Sequence, residues 1–236
     1  MTGPHRSFCR AALAALLAGG LATGCVGPRM PADPVAIPAG YQGAAAAARH
    51  GFHAVYEGEL RIWFHSFQAI WYVAAAPNTD HLAIAMLSPT GVSVMQMQGD
   101  SAGRECKVLL PAAARLRPYG ETLWDGLWWS LVAGDSVPGS DWVRRRNRTM
   151  GCAEIGPVQA LYLTQAAGEM LERIELRRDG RRWCSIRLSD IREDAGRAYP
   201  ARIRVDCAQP RSRLTLTLKS IAWTPVLEGE PRVAGP

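Results

Sequence analysis

Six cysteines, five histidines and 21 acidic side chains are the residues with most chemistry to offer in this 236-residue chain. The histidines are His5, His50, His53, His65 and His81. His50 and His53 lie three apart with Glu57 as the one close carboxylate, no histidine neighbours a cysteine, and no Cys-x-x-Cys occurs. A metal centre needs such a cluster at ligand spacing, so none is expected. There is no Gly-rich phosphate loop, no Gly-x-Ser-x-Gly and no His-Glu-x-x-His. Carboxylate pairs such as Glu193-Asp194 fall in a turn, where they are solvated, whereas general acid–base catalysis needs a positioned group with a shifted pKa. The expectation is a chain with no catalytic residue, no metal and no cofactor, hence not an enzyme.

The cysteines are more informative. Residues 1–24 read as an export signal: Arg6 and Arg10 form a short positive segment, and Ala11–Leu17 and onward to Gly24 an apolar, small-residue one, too short to span a bilayer comfortably. The segment ends Leu21-Ala22-Thr23-Gly24-Cys25, which resembles the lipobox of bacterial lipoproteins. That resemblance implies that Cys25 becomes the new N-terminus, its thiol carrying a diacylglycerol and its amine a further acyl chain. Several acyl chains anchor firmly. A plain secretory signal with an incidental cysteine is the other reading. Val26, in place of an Asp, implies by the same resemblance the outer rather than the inner membrane. Residues 25–42 are rich in proline and glycine and read as the lipidated N-terminus and its tether.

Four cysteines remain: Cys106, Cys152, Cys184 and Cys207. An even count in an exported chain suggests disulfides. Residues 184–189 and 202–207 flank a turn near Ala195-Gly196. Placing Cys184 opposite Cys207 sets Ile186 against Val205 and Leu188 against Ile203, with Ser185–Asp206, Arg187–Arg204 and Ser189–Arg202 between them. All apolar residues then share one face, as a half-buried hairpin requires. Opposed cysteines are close enough to bridge, which leaves Cys106–Cys152 by elimination. Four reduced, buried thiols are the alternative.

The elements around these residues are mostly strands. A domain over 43–224 begins with an alanine-rich helical stretch, 41–50. Phe52–Phe64 holds two short runs, and Phe67–Ala74 another. Leu82, Ile84 and Met86 alternate with Ala83, Ala85 and Leu87, Pro89-Thr90-Gly91 makes a turn, and Val92–Gln98 and Glu105–Leu110 follow. One helix interrupts: Thr122 reads as its N-cap with Asp125 three residues on, and Leu123, Trp124, Leu127, Trp128 and Leu131 recur at helical spacing up to Gly134. Strands resume at about 141–149, 158–164, 170–177, 183–190, 201–207 and 212–223. A strict Asp179-Gly180 hairpin would put Ile174 and Leu176 on the wrong face of 183–188, so a bulge or a longer loop is expected. Leu214, Leu216 and Leu218 alternate with Thr215, Thr217 and Lys219, and Ile221 and Trp223 then change parity, which also signals a bulge. Residues 225–236 form a tail. The fold class is mainly β (α+β): an antiparallel half-barrel of about eleven strands, with one to three helices covering an apolar concavity.

Composition agrees with a globular domain: 48% hydrophobic and 20% charged residues. No apolar run reaches about 18 residues, which excludes a chain crossing the membrane on several helices. The formal charge of +6 is spread along the chain, so nucleic acid is not a partner. Val143-Arg144-Arg145-Arg146-Asn147-Arg148 reads as a solvated strand edge, with anionic headgroups or an acidic partner as the alternative.

The order of lipobox, tether, helix, meander, Trp-rich helix and second meander resembles the LolA/LolB superfamily of lipoprotein carriers. Three stretches carry the resemblance: Leu87-Ser88-Pro89-Thr90-Gly91-Val92, Leu127 to Gly134 with Pro138, and Tyr199 to Val205 followed by Leu214–Lys219 and Trp223. The resemblance implies an eleven-stranded half-barrel with a helical lid over a hydrophobic cavity. It also implies a periplasm-facing, lipid-anchored outer-membrane protein that takes acylated lipoprotein or lipid cargo from a periplasmic LolA-like carrier. The residues expected to line the acyl cavity are Leu82, Ile84 and Met86, then Trp124, Leu127, Trp128 and Leu131 of the helix. Ile174, Leu176, Ile186, Leu188, Ile203, Val205, Leu214, Leu216 and Leu218 complete the lining. A non-enzymatic envelope scaffold on the same fold is the alternative, and a monomer is expected in either case. Transport requires a greasy concavity that the protein's own side chains leave unoccupied. Trp129 falls off the helix's apolar stripe and reads as partly buried under a loop.

Overall fold

Alternation of apolar and polar residues governs most of the described chain, and twelve strands result among the described residues of the computed structural model. It describes residues 50–133, 143–145, 148–164, 171–194 and 197–224. The strands are β1 (Phe52–Ile62), β2 (His65–Ala75), β3 (Leu82–Leu87), β4 (Ser93–Gly99), β5 (Arg104–Val108), β6 (Val143–Arg145), β7 (Arg148–Ile155), β8 (Val158–Thr164), β9 (Leu171–Arg178), β10 (Arg181–Asp194), β11 (Arg197–Ala208) and β12 (Arg211–Trp223). They form one antiparallel sheet in the order β5-β4-β3-β2-β1-β12-β11-β10-β9-β8-β7-β6. Each meander is a run of hairpins, and β1 joins the two by pairing with β12. The sheet is open, with β5 and β6 as its edges. This is the expected half-barrel, with one strand more than the eleven foreseen because the short β6 pairs with β7.

The expected register between β10 and β11 is present pair for pair, from Cys184 opposite Cys207 to Ser189 opposite Arg202, and it extends to Asp194 opposite Arg197. Asp179 and Gly180 form a strict two-residue turn, both with positive φ (52° and 73°), as such hairpins favour. A bulge between Arg182 and Cys184 then returns Leu176 and Ile174 to the face of Cys184 and Ile186. The parity change after Leu218 is likewise a register shift, opposite Val55/Tyr56 of β1. Phe52–Ile62 is one continuous strand rather than two short runs.

The helix is the main departure. A 3-10 turn (Pro111–Leu116) leads into α1 (Arg117–Leu131). Thr122 is therefore inside the helix and not its N-cap, and Asp125 forms no capping box. Pro118 sits in the first turn, where a missing N–H costs nothing, and it starts the helix earlier. Gly134, the alanine-rich stretch before His50, the turn at Ala195-Gly196, the signal, the tether and the tail lie outside the described residues. No helix among the described residues is long and apolar enough to cross a membrane.

Candidate functional site: the concavity and the helix within it

Every second residue of the long strands points to one side. Along β12, Leu214, Leu216 and Leu218 are buried while their neighbours are exposed. Ile203 and Val205 of β11, Ile186 and Leu188 of β10, Ile174 and Leu176 of β9, and Leu82, Ile84 and Met86 of β3 are all buried. So are Trp124, Leu127, Trp128 and Leu131 of α1, and one hydrophobic cluster contains all sixteen of the expected lining residues. The sequence reading missed others in the same cluster: Met95 and Met97 on β4, Trp71 on β2 and Tyr56 on β1. Their alternation along β1, β2 and β4 was the available signal.

From Thr122 to Leu131 all residues of α1 are buried, polar ones included. A helix buried on every side lies within a core and not on a surface. Trp129, expected to be partly covered, is 4% exposed. Its ring packs edge-on to Trp128 at 5.3 Å and faces Tyr162 of β8 at 6.4 Å. Trp124 and Trp128 stack at 5.7 Å, and the indole Nε1 of Trp128 donates to the Asp80 carbonyl at 2.7 Å.

Two glycines set how close the helix comes. A Cβ at Gly126 would lie 2.6 Å from Cγ1 of Val205 on β11, and one at Gly120 would collide with Sγ of Cys106 on β5. Helix backbone thus rests directly on side chains of both halves of the sheet. A cleft of about 10 Å³ lies beside the C-terminal end of α1, lined by Phe52, Tyr56, Leu131, Tyr199 and Ile221 among others. That is room for about one water. Among the described residues, α1 and its side chains occupy the concavity that the sequence leads one to expect open.

One charge enters the packed region. Asp125 of α1 is buried and pairs with Arg104 of β5 at 3.0 Å, while Glu121 reaches the same guanidinium at 3.5 Å. Burial pushes the Asp125 carboxyl up to about 6 against the opposing pull of Arg104 and Arg178. Arg104 also lies over the Trp124 ring at 5.7 Å.

Cys184 and Cys207 meet as the register foretold, with sulfurs 3.0 Å apart and both residues buried. The two sulfurs are not bonded to one another in this structure. The hydrogen bond between them, together with burial, raises the Cys184 thiol far above its ordinary range. Cys106 sits on edge strand β5 against Gly120, and Cys152 on β7 near the other edge. No disulfide joins the described cysteines. The two were paired only by elimination, and their places in the sheet order do not make them neighbours. Among the described residues no group of His, Cys, Asp and Glu has a metal-holding arrangement.

With this geometry in view, the comparisons place the fold. No protein-family model and no curated protein matches the sequence. Solved structures do match. One is a domain described as an outer-membrane lipoprotein-sorting protein from Vibrio parahaemolyticus, at 12% identity and a TM-score of 0.51, covering 80% of this chain and 94% of that one. Another is a DUF1329 family protein from Desulfovibrio piger, at 12% identity and a TM-score of 0.53, covering 78% of this chain and 92% of that one. A LolA superfamily protein from Nitrosomonas europaea matches at 13% identity and a TM-score of 0.49, covering 81% of this chain and 96% of that one. The fold is the one shared with the Vibrio and Desulfovibrio structures: an open antiparallel half-barrel around a helix.

Proposed function

We propose that this chain is a lipid-anchored protein of the bacterial outer membrane that takes up acyl chains between its sheet and α1, with α1 as a displaceable plug. Cys25 would carry the anchor, residues 26–42 the tether, and the half-barrel would face the periplasm as a monomer. Its cargo would be lipid or acylated lipoprotein received from a LolA-like carrier. One observation carries the reading: both the sheet face beneath α1 and the face α1 turns to it are apolar, in a fold shared with a lipoprotein-sorting domain. Two features ease displacement of the plug. The helix has no side-chain N-cap bond, no acidic residue in its first turn and no basic residue in its last, so packing and not capping holds it. The cleft beside Leu131 would offer an entry point at its C-terminal end.

The closeness of Gly126 to Val205 favours a second reading, an envelope scaffold with a permanently filled core. A lock separates the two. Gly120→Cys would place a second thiol against Cys106, since a Cβ there lies 3.2 Å from the Cys106 Cβ, near bridging range. With a fluorescent fatty acid, the plug reading expects binding to be lost on oxidation of this pair and restored by reductant. Equal binding in both states sinks the plug, and no binding in either, with no lipid found by native mass spectrometry, leaves the scaffold.

A further inference from the structure

The outer face of the sheet carries a feature that neither reading uses. Reading across adjacent strands, Arg173 of β9 stands opposite Arg187 of β10, and Arg187 opposite Arg204 of β11. Like charges directly opposed on an antiparallel pair are destabilising. The flanking row relieves two of the three. Arg173 pairs with Glu175 at 3.0 Å, and Arg204 with Asp206 at 2.8 Å, each carboxylate two residues further along its own strand. The equivalent place beside Arg187 holds Ser185, whose hydroxyl accepts a hydrogen bond from Arg173. Arg187 therefore sits between two cations and makes no ion pair among the described residues.

Arg187 opens into a depression of about 490 Å³ at the end of the sheet where the β1–β2, β9–β10 and β11–β12 turns lie. Arg61, Arg182, Arg211 and Arg213 line it with Arg173 and Arg187, against Asp206 as the lining carboxylate. Glu175 and Asp206 are already engaged, Glu175 by Arg173, Arg177 and Arg182, and Asp206 by Arg204 and Arg213. Arg211, like Arg187, makes no ion pair among the described residues. Trp183 also lines the depression, and its indole Nε1 has no acceptor among the described residues. Trp63, which lines the depression, is 59% exposed, and Phe64, next to it in the chain, is 96% exposed.

We propose that this depression is a phosphate site by which the domain docks on an anionic bilayer. Arg187 and Arg211 take headgroup phosphates, and Trp63 and Phe64 enter the boundary between headgroups and acyl chains. Planar guanidinium forks suit phosphate oxygens. The excess of cations over carboxylates supplies the charge complementarity. An amphipathic indole beside a fully exposed phenyl ring matches a bilayer interface better than a small soluble anion. Docking of this face does not depend on acyl binding by the concavity, so a failure of either leaves the other intact.

The test uses the full chain carrying Cys25→Ser in every arm, so that no acyl anchor forms, and co-sedimentation with vesicles. Phosphatidylglycerol vesicles should bind and phosphatidylcholine vesicles should bind far less. Arg187→Gln and Arg211→Gln should each weaken binding about fivefold, the worth of one basic side chain near an anionic surface. Arg202→Gln, on the same sheet face but outside the depression, should change it little, and Arg187→Lys should retain most of it. Melting curves check that each variant is folded, and Arg211, at a turn, gives a second probe should Arg187→Gln fold poorly. Equal loss from Arg202→Gln and Arg187→Gln overturns the proposal, as does binding that ignores vesicle charge. Arginine-dependent binding of inorganic phosphate without vesicle binding assigns the site to a soluble anion and overturns docking. Capture of acidic polypeptides without vesicle binding does the same.

Discussion

Replacing Gly126 by alanine tests whether the helix truly rests on the sheet. Helix propensity alone favours alanine by about 1 kcal/mol. Steric fit opposes it. The new Cβ would lie 2.6 Å from Cγ1 and 3.2 Å from Cγ2 of Val205, where carbon pairs prefer about 3.5–4.0 Å. Val205 cannot give way easily: its side chain is β-branched, and its strand is bonded on both sides, to Ile186 and Leu214. Relief must come from lifting α1 by about 1 Å, an overpacking cost of about 1–3 kcal/mol. The net expectation is destabilisation by about 0–2 kcal/mol, a fall in Tm of at most about 8 °C for a domain of this size. Val205→Ala alone should cost about 2 kcal/mol. In the double variant the clash is removed, so its loss should fall short of the sum of the single losses by the whole overpacking term, about 1–3 kcal/mol. Urea and thermal unfolding followed by tryptophan fluorescence measure all four corners of the cycle. A Gly126→Ala variant that gains stability, with losses that simply add in the double variant, would refute the close approach of helix and sheet and the closed form with it.

Two further predictions concern the same interface. Asp125 has a folded pKa of about 6, above its unfolded value, so the folded state holds more protons than the unfolded one between about pH 4 and 6; its contribution to stability is greatest at low pH and falls as pH rises through that window, by at most about 3 kcal/mol. Asp125→Asn should flatten this part of the stability–pH curve, seen as the difference between variant and parent in urea midpoints, and an unchanged difference across the window would count against the buried charge. Cys184 and Cys207, 23 residues apart in the chain with sulfurs 3.0 Å apart, should oxidise to a cross-strand disulfide in an oxidising compartment. That bridge should stabilise the fold by about 3 kcal/mol less any strain, detected as a two-hydrogen mass loss and a reductant-sensitive Tm that Cys184→Ser abolishes.

How far the sequence revealed this molecule depends on which pattern carried each part. Strand register between β10 and β11 was legible because one alignment alone puts Ile186, Leu188, Ile203 and Val205 on a common face. Both bulges were legible as parity changes. The start of the helix was not, because Thr122 has the chemistry of a cap, and Pro118 with Gly120 resembles a break. Position 120 lies within the helix, and a side chain there would collide with Cys106, which is why a glycine stands at it. The filled concavity was hidden for a related reason: Trp124, Leu127, Trp128 and Leu131 form the same stripe over an empty cup or a solid core. The discriminating residues were the small ones, Gly120 and Gly126, which have no hydrophobic signal at all. The arginine row needed a third strand. Arg187 opposite Arg204 followed from the hairpin register, but Arg173 joins them only because of the bulge at Trp183.

Whether an acyl chain can replace α1 reduces to a comparison of buried surfaces. The helix buries Leu123, Trp124, Leu127, Trp128, Trp129 and Leu131, at about 1.5–3 kcal/mol each, so unveiling all six costs roughly 9–18 kcal/mol. An acyl chain entering the same space gains about 0.8 kcal/mol per methylene, so a sixteen-carbon chain returns about 12 kcal/mol. The two terms are of one size, and chain length decides the sign. An eight-carbon chain returns about half as much and leaves the helix seated. Binding should therefore rise steeply with chain length and become measurable only for long chains, with Gly126→Ala, which already lifts the helix, moving the threshold to shorter ones. Titration of fatty acids of graded length against tryptophan fluorescence reads this directly, since Trp124, Trp128 and Trp129 all lie in the displaced interface. A threshold that Gly126→Ala leaves in place would show that acyl chains bind elsewhere than beneath α1. A flat response across chain lengths would show that burial of the chain does not drive binding, and the helix would then be core and not plug.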